Sequence, residues 1–222
     1  MVTDLLKRMV HPVLKKGAAW YFSVPRKYSY GEIRVVIKPG VFHPSLTHST
    51  RILLDMLQGI DLSGLRVLEL GCGSGILTVQ AALKGGACYA CDIHPDAVRN
   101  AMENVCANGV SACVCESDLF SAYTGMAFDR VLINPPYYAK DPGNLSEHAW
   151  YCGREHDYFR NLFMQLPSHL SKDGFAWMIL SENCDVPLIG NLAEQNGCTL
   201  QLTEKNKKWR EQFLLFRVTA CR

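Results

Sequence analysis

The sequence has no apolar run long enough to cross a bilayer, and its first residues lack the apolar segment of a secretory signal peptide. It also has no internal repeat, no low-complexity segment and little net charge, only +2 over 222 residues. These absences exclude membrane-spanning, fibrous and disordered classes. We therefore expect a soluble protein of the cytoplasm.

The sequence does have many cysteines, ten in all. The pairs Cys88-x-x-Cys91 and Cys113-x-Cys115 imitate the spacing of a zinc site. Both pairs lie in short apolar runs typical of buried strands, and positions three apart on a strand point to opposite faces. We therefore expect reduced core cysteines and no metal, with zinc binding as the alternative.

Composition and charge suggest one domain with an appendage. Apolar residues form 48% of the chain, enough to bury a full core. Residues 1–40 carry a net charge of +6, whereas residues 41–222 carry −4. We predict a basic amino-terminal extension over 1–40, with a helix and then a strand at Glu32–Lys38, and a main domain over 41–222. The basic extension indicates either an anionic partner such as RNA or a solvated helix face.

The most informative segment is Arg66–Gly75, a short apolar run that ends in a glycine-rich turn. Val67–Leu70 predicts a parallel strand buried on both faces, and Ile76–Leu83 predicts a helix. A strand, a turn and a helix in this order bring bare backbone and a helix amino terminus to a ligand. Glu69, just before the turn, would repel pyrophosphate and attract a cationic ligand. The glycines of the turn are Gly71, Gly73 and Gly75.

Two later strands are followed by carboxylates. Ala87–Asp92 predicts the second strand, and Asp92, about 20 residues past the glycines, has the spacing to accept both hydroxyls of a ribose. Ala112–Cys115 predicts the third strand. Asp118 beyond it is placed to accept from an adenine amino group, with the Leu119 backbone beside the ring. A cap or turn role is the alternative for Asp118.

The fourth predicted strand, Phe128–Ile133, ends in Asn134-Pro135-Pro136-Tyr137. Successive prolines remove backbone donors, so this rim offers mainly acceptors, the Asn134 side-chain oxygen and the Pro135 carbonyl. Together with the ring of Tyr137, these acceptors suit a planar NH2 group. Drawing both N–H bonds toward acceptors would expose the nitrogen lone pair to an electrophile. The alternative is a structural turn in which Asn134 is a cap.

These motifs resemble those of the class I S-adenosylmethionine-dependent methyltransferases. Glu69–Gly75 resembles their first motif, and Asp92–Asp96 resembles their second. Asn-Pro-Pro-Tyr is similar to the motif of the release-factor glutamine methyltransferases, of adenine-amino methyltransferases and of the small-domain methyltransferases. Asp118–Phe120 and His148–Glu155 resemble segments of the glutamine group. The resemblance implies an α/β, doubly wound Rossmann-like sheet of seven strands, mostly parallel with an antiparallel last strand.

The resemblance also implies a function. We expect a monomeric methyltransferase, with its catalytic domain over 41–222, that uses S-adenosyl-L-methionine to methylate a planar nitrogen. The favoured acceptor is a glutamine amide of a protein such as a translation factor or ribosomal protein. Adenine N6 of RNA or DNA is the alternative, and a catalytically silent binding domain is the third possibility.

The implied site residues fall into three groups. Those for the cofactor are Glu69, Gly71, Gly73, Gly75, Asp92, Ile93, Asp118, Leu119 and Asn134. Those for catalysis are Asn134, Pro135 and Tyr137. Those for the substrate mouth are Phe42, His43, Thr47, Pro136 and Tyr138. Either His43 or His48 could carry a proton, or each could serve as a structural hydrogen-bonding group.

Overall fold

The computed structural model describes residues 23–208 and 211–221. The helix predicted near the amino terminus lies outside this range. The strands are β1 (Arg26–Tyr30), β2 (Ile33–Ile37), β3 (Arg66–Leu70), β4 (Ala87–Asp92), β5 (Ala112–Glu116), β6 (Phe128–Ile133), β7 (Leu170–Ser181), β8 (Cys198–Lys208) and β9 (Glu211–Ala220). The helices are α1 (Ser49–Gln58), α2 (Ile76–Leu83), α3 (Pro95–Ala107), α4 (Asp157–His169) and α5 (Val186–Gln195). None of these helices is long and apolar enough to span a membrane.

The main sheet has seven strands in the order β5-β4-β3-β6-β7-β9-β8. Strands β3 to β7 pair in parallel, and β9 pairs antiparallel with both β7 and β8. This confirms the predicted doubly wound sheet with an antiparallel last strand. The strand order reverses between β3 and β6, so the carboxyl ends of these neighbours form the crevice where such sheets bind ligands.

Apolar cores lie on both faces of the sheet. On one face, α4 and α5 contribute side chains such as Phe163 and Ile189. On the other, α1 and α2 contribute Leu53 and Val79. Cys88 and Cys91 belong to opposite cores, as the strand period predicts.

Cys113 departs from the prediction that both cysteine pairs are buried. It is exposed, and Cys115 is only partly buried. The reason is that β5 is an edge strand of the sheet, which the local sequence does not reveal. Among the described residues, no group of His, Cys, Asp or Glu has the arrangement of a metal site.

A two-stranded hairpin, β1 and β2, precedes the main sheet. The predicted strand at Glu32–Lys38 corresponds to β2, whereas β1 was not predicted. The inward side chains Tyr30, Ile33 and Val35 are buried in the same core as α1. Residues 26–37, assigned from their charge to the extension, thus share a core with the residues that follow them.

Three asparagines at every fourth position, two in α3 and one at its C-cap, hold the hairpin in place. Their side-chain oxygens and nitrogens pair with backbone groups of β2 and the residue after it, much as a neighbouring strand would. Asn104 also donates to the Ser74 carbonyl at 2.9 Å, which links the hairpin to the glycine turn. The N–H groups of Arg34, Val36 and Lys38 donate to Asn108, Asn104 and Asn100 at 3.1, 2.9 and 3.0 Å.

Candidate active site

A cleft of about 320 Å³ opens at the carboxyl ends of β3, β4 and β6. Its walls come from the glycine turn, the loops after β4, β5 and β6, and two further segments within residues 40–50 and 141–161. The carboxylates of its lining are Glu69, Asp92, Asp118, Asp141 and Asp157. No Lys or Arg of the described residues lines it. The cleft therefore favours a cationic ligand over a phosphate-rich one.

The glycines of the turn play different parts. Gly71 and Gly73 line the cleft with φ of +70° and +51°, and the space that a Cβ would occupy is open at both. A bulky ligand can therefore approach their backbone closely. Gly75 was predicted to contact ligand, but it lies outside the lining. A Cβ there would sit 2.9 Å from the Cβ of Ala101, so Gly75 allows α3 to pack against the turn.

Glu69 is buried at the end of β3. Its Oε2 atom accepts hydrogen bonds from the Thr78 N–H, at 2.8 Å, and from the Thr78 hydroxyl. Burial raises the pKa of Glu69 to about 8, although the bonds from Thr78 oppose this shift. Burial thus favours the protonated form of the carboxyl group, whereas a neighbouring cation would favour its ionised form.

Asp92 connects the glycine turn to the loop after β4. Its Oδ2 accepts from the Gly73 N–H, and its Oδ1 accepts from the His94 N–H, both at 2.9 Å. Burial raises the pKa of Asp92, and these backbone hydrogen bonds oppose the shift. Each carboxylate oxygen retains a further acceptor position, and both Asp92 and Ile93 line the cleft.

Asp118 and Leu119 line the cleft beyond β5. Leu119 has a φ of 49°, a conformation that few non-glycine residues adopt. Its carbonyl accepts the Ser117 hydroxyl at 2.9 Å, which stabilises this loop. The structure thus places the loop after β5 in the same cleft as Asp92.

The residues after β6 form a hydrogen-bonded group with the start of α1. Tyr137 donates its hydroxyl to Oδ1 of Asn134 at 3.0 Å, and Nδ2 of Asn134 lies 3.4 Å from Oγ1 of Thr50. Burial raises the pKa of the Tyr137 phenol. Asn134, Pro135, Pro136 and Tyr137 all line the cleft.

Two residues predicted for the substrate mouth lie elsewhere. His43 is buried outside the cleft, where its Nδ1 accepts from the Ser45 N–H at 3.2 Å and burial lowers its pKa. Tyr138 is 46% exposed and absent from the lining. His48 is also outside the cleft and packs against the ring of Phe213. The histidines therefore have structural contacts rather than the geometry of proton carriers.

Phe42 and Thr47 do line the cleft, together with residues that the sequence did not single out. The Phe42 ring meets Trp150 at 5.1 Å between centroids, so the pair forms one wall of the opening. The sequence analysis matched His148–Glu155 to a segment of the glutamine methyltransferases, but it assigned no role to Trp150. Further unpredicted lining residues are Ser49, Thr50, Tyr158 and Asn161.

A family model described as "Methyltransferase small domain" matches residues 32–210. The chain belongs to this family. A protein of Methanocaldococcus jannaschii with the provisional name of protein N5-glutamine methyltransferase is 32% identical over 157 residues, covering 67% of this chain and 76% of the relative. Ribosomal RNA small subunit methyltransferase C of Alcanivorax borkumensis is 29% identical over 153 residues, or 68% of this chain. The chain spans 43% of the length of that relative.

A solved structure supports the fold of this small-domain methyltransferase. The 16S rRNA N2 G1207 methyltransferase of T. thermophilus, in complex with AdoMet and guanosine, has a TM-score of 0.67 at 22% identity. The match covers 90% of this chain and 51% of the other. The chain is an S-adenosylmethionine-dependent methyltransferase. The open backbone at Gly71 and Gly73 and the carboxylates of the cleft suit this cofactor.

Proposed function

We propose that this enzyme methylates a planar NH2 group, and that its acceptor is a glutamine side-chain amide of a protein. The observation that carries the proposal is that Asn134 and Pro135 line the same cleft as the glycine turn. Bound S-adenosylmethionine supplies an electrophilic methyl group. The residues of the chain then have to bind, orient and polarise the acceptor nitrogen.

The cofactor side of the cleft uses its carboxylates. Glu69 favours the cationic amino-acid portion, and Asp92 accepts from the ribose hydroxyls with its free acceptor positions. Asp118 accepts from the adenine amino group beside the Leu119 backbone. Because Asp92 is fixed by the N–H groups of Gly73 and His94, it needs little reorganisation on binding.

The acceptor side uses Asn134 and Pro135. Oδ1 of Asn134 and the Pro135 carbonyl accept the two hydrogens of the NH2 group, which weakens the delocalisation of its lone pair. The lone pair would then be available to accept the methyl group as the methyl–sulfur bond breaks and leaves a neutral thioether, and the extra proton on nitrogen would leave to water. Positioning thus supplies most of the catalysis, so this scheme needs no histidine base.

The charge of the cleft favours a protein amide over a nucleotide. A glutamine side chain is neutral, whereas a nucleotide would bring phosphates toward a cleft lined by carboxylates and without Lys or Arg among the described residues. The relative from M. jannaschii bears a glutamine methyltransferase name. A protein of the translation machinery is the proposed partner, and the cytoplasm is the proposed location.

A nucleobase NH2 group is the second candidate acceptor. The name of the relative from A. borkumensis and the guanosine in the T. thermophilus complex favour it. The wall formed by Phe42 and Trp150 offers rings on which a base could stack. The name of the T. thermophilus enzyme indicates the amino group of a guanine in ribosomal RNA, whereas the sequence motif led us to expect adenine as the alternative acceptor.

The Asn134→Ala variant tests the proposal. We expect its affinity for S-adenosylmethionine, measured by calorimetry, to stay within about threefold, while methyl transfer falls at least about a hundredfold. Asn196→Ala is the matched control, because Asn196 caps α5 outside the cleft and donates to the Leu192 carbonyl. Unchanged transfer by Asn134→Ala would overturn the assigned role of Asn134.

A further inference from the structure

After the Asn-Pro-Pro-Tyr motif, residues 139–150 form a closed loop, here called the bridging loop. Its two ends are joined by backbone hydrogen bonds. The Tyr138 N–H donates to the Trp150 carbonyl at 3.0 Å, and the Cys152 N–H donates to the Tyr138 carbonyl at 2.9 Å. The loop therefore begins and ends on the side of the cleft formed by the residues after β6.

The middle of the bridging loop reaches the opposite side of the cleft. The Oγ atom of Ser146 lies 3.2 Å from Nε2 of His94, in the loop after β4. In the sheet, β3 lies between β4 and β6, and neighbouring strands are about 4.8 Å apart. The loop thus extends across about two strand spacings, past the end of β3 and its glycine turn. Ser146 and Trp150 line the same cleft as Gly71 and Gly73.

The bridging loop is weakly attached to the rest of the protein. None of residues 139–150 is buried. Besides the contact between Ser146 and His94, the Trp150 ring meets the ring of Phe42 at 5.1 Å between centroids. A segment with few buried apolar contacts opens locally at a small cost in free energy. The side-chain contacts across the cleft therefore have a large share in keeping the loop in place.

His94 is oriented so that its ring donates to the bridging loop. Its backbone N–H donates to Oδ1 of Asp92 at 2.9 Å, and its Nδ1 accepts from the Asp96 N–H at 3.1 Å. A neutral imidazole that accepts at Nδ1 carries its hydrogen on Nε2. Nε2 therefore donates to the hydroxyl of Ser146. His94 thus connects the carboxylate proposed for the ribose, the start of α3 and the bridging loop.

We propose that the bridging loop is a lid over the bound cofactor, and that His94 is the positioning residue that holds the lid closed through Ser146. The closed lid slows the release of S-adenosylmethionine and keeps water from the reacting groups. Its opening lets the cofactor enter and the spent cofactor leave. Because the lid acts on the cofactor, its role is the same for a protein and for a nucleic-acid acceptor.

Cofactor release from the full-length protein gives the first test. Ser146→Ala removes the acceptor of the His94 hydrogen. His94→Asn keeps a side chain that can cap α3 but is too short to reach Ser146. We expect tritiated S-adenosylmethionine, chased with excess unlabelled cofactor, to leave each variant about fivefold faster than wild type.

Ser168→Ala is the matched control for the release experiment. It removes a serine contact of 3.1 Å to His169, at the end of α4 and outside the cleft. We expect its release rate to equal that of wild type. Release from Ser146→Ala and His94→Asn at the rate of Ser168→Ala would overturn the proposal.

A double-mutant cycle tests whether His94 and Ser146 act through each other. Adding His94→Asn to Ser146→Ala should not accelerate release further, because the contact is already gone. Two independent effects would instead multiply in the double variant. A double variant whose release is faster by the product of the single factors would therefore contradict the proposed contact.

Hydrogen exchange followed by mass spectrometry distinguishes a lid from a fixed wall. S-adenosylhomocysteine should slow amide exchange in residues 139–150 of wild type, and it should slow this exchange much less in Ser146→Ala. Amides of β8, which lies outside the cleft, are the internal reference. Equal exchange in residues 139–150 with and without S-adenosylhomocysteine would mean a fixed loop and would overturn the proposal.

Discussion

The hydroxyl of Tyr137 donates to Oδ1 of Asn134 at 3.0 Å, so two residues of the Asn-Pro-Pro-Tyr motif are bonded to each other within the cleft. The sequence predicted Tyr137 as a flat face for the acceptor. In the structure its ring packs against both apolar cores, while its hydroxyl donates to Asn134. The contact gives the tyrosine a role that a phenylalanine could not fill.

Replacing Tyr137 by phenylalanine tests this role. Tyr137→Phe keeps the packed ring but removes the donor to Asn134. We expect transfer about tenfold slower, a loss of about 1.4 kcal/mol of transition-state stabilisation, with cofactor affinity unchanged. Tyr138→Phe is the neighbouring control, because that side chain lies outside the cleft. Equal rates for the two variants would show that the hydroxyl has no part in the reaction.

Asp92 should contribute to cofactor affinity rather than to the rate of transfer. Asp92→Ala removes the proposed ribose acceptor and the partner of the Gly73 N–H. We expect calorimetry to show an affinity for S-adenosylmethionine lower by one or two orders of magnitude, about 1.4 to 3 kcal/mol. Asp96→Ala is the control, because Asp96 forms an exposed ion pair with Arg99 on α3. Wild-type affinity in Asp92→Ala would remove Asp92 from the binding site.

Cofactor affinity should depend on pH through Glu69. Because burial raises the pKa of this carboxyl group to about 8, ionised Glu69 becomes more abundant as pH rises toward that value. Affinity for the cationic cofactor should therefore rise between about pH 6 and 8, by at most about tenfold per unit. Glu69→Gln should abolish this dependence and leave only the titration of the cofactor amino group. An identical pH profile for both proteins would contradict the role of Glu69.

Without cofactor, Glu69 should have the opposite effect of pH on stability: its contribution to the free energy of unfolding should fall as pH rises. Its pKa in the folded state, about 8, lies above the ordinary value of 4.5. The folded protein therefore holds the proton more tightly, and the contribution of Glu69 to the free energy of unfolding falls as pH rises from about 4.5 to 8. Urea denaturation of wild type and Glu69→Gln across this range should show a difference that changes with pH. A constant difference would mean that Glu69 has an ordinary pKa.

The asparagines of α3 predict a graded loss of stability. Asn104 is 3% exposed and bonds both Val36 and the Ser74 carbonyl, so Asn104→Ala leaves buried backbone groups without partners. We expect a loss of about 2 to 3 kcal/mol in urea denaturation. Asn108→Ala, at the exposed end of the same series, should lose about 1 kcal/mol or less. Equal losses of stability in the two variants would mean that the buried hydrogen bonds of Asn104 contribute no more than the exposed ones of Asn108.

The sequence was sufficient where function depends on local chain geometry. We could predict the strand, glycine turn and helix around Gly73, as well as the turn after β6. Their backbone conformations depend on glycines and prolines, which can be recognised in the sequence. The contact between the Thr50 hydroxyl and Asn134 could not be predicted, because it forms only after the chain has folded. The prediction that His43 lines the substrate mouth failed for a related reason, since the sequence around a loop histidine does not show which way its side chain faces.

The proposed protein acceptor can be tested by methyl transfer into an extract of a strain lacking the gene. The extract is labelled with tritiated methyl from S-adenosylmethionine and then split into nuclease-treated and protease-treated portions. We expect label that survives nuclease, is lost on protease treatment and maps to a glutamine side chain by mass spectrometry of peptides. Label that survives only protease would place the methyl group on nucleic acid and contradict the proposed acceptor.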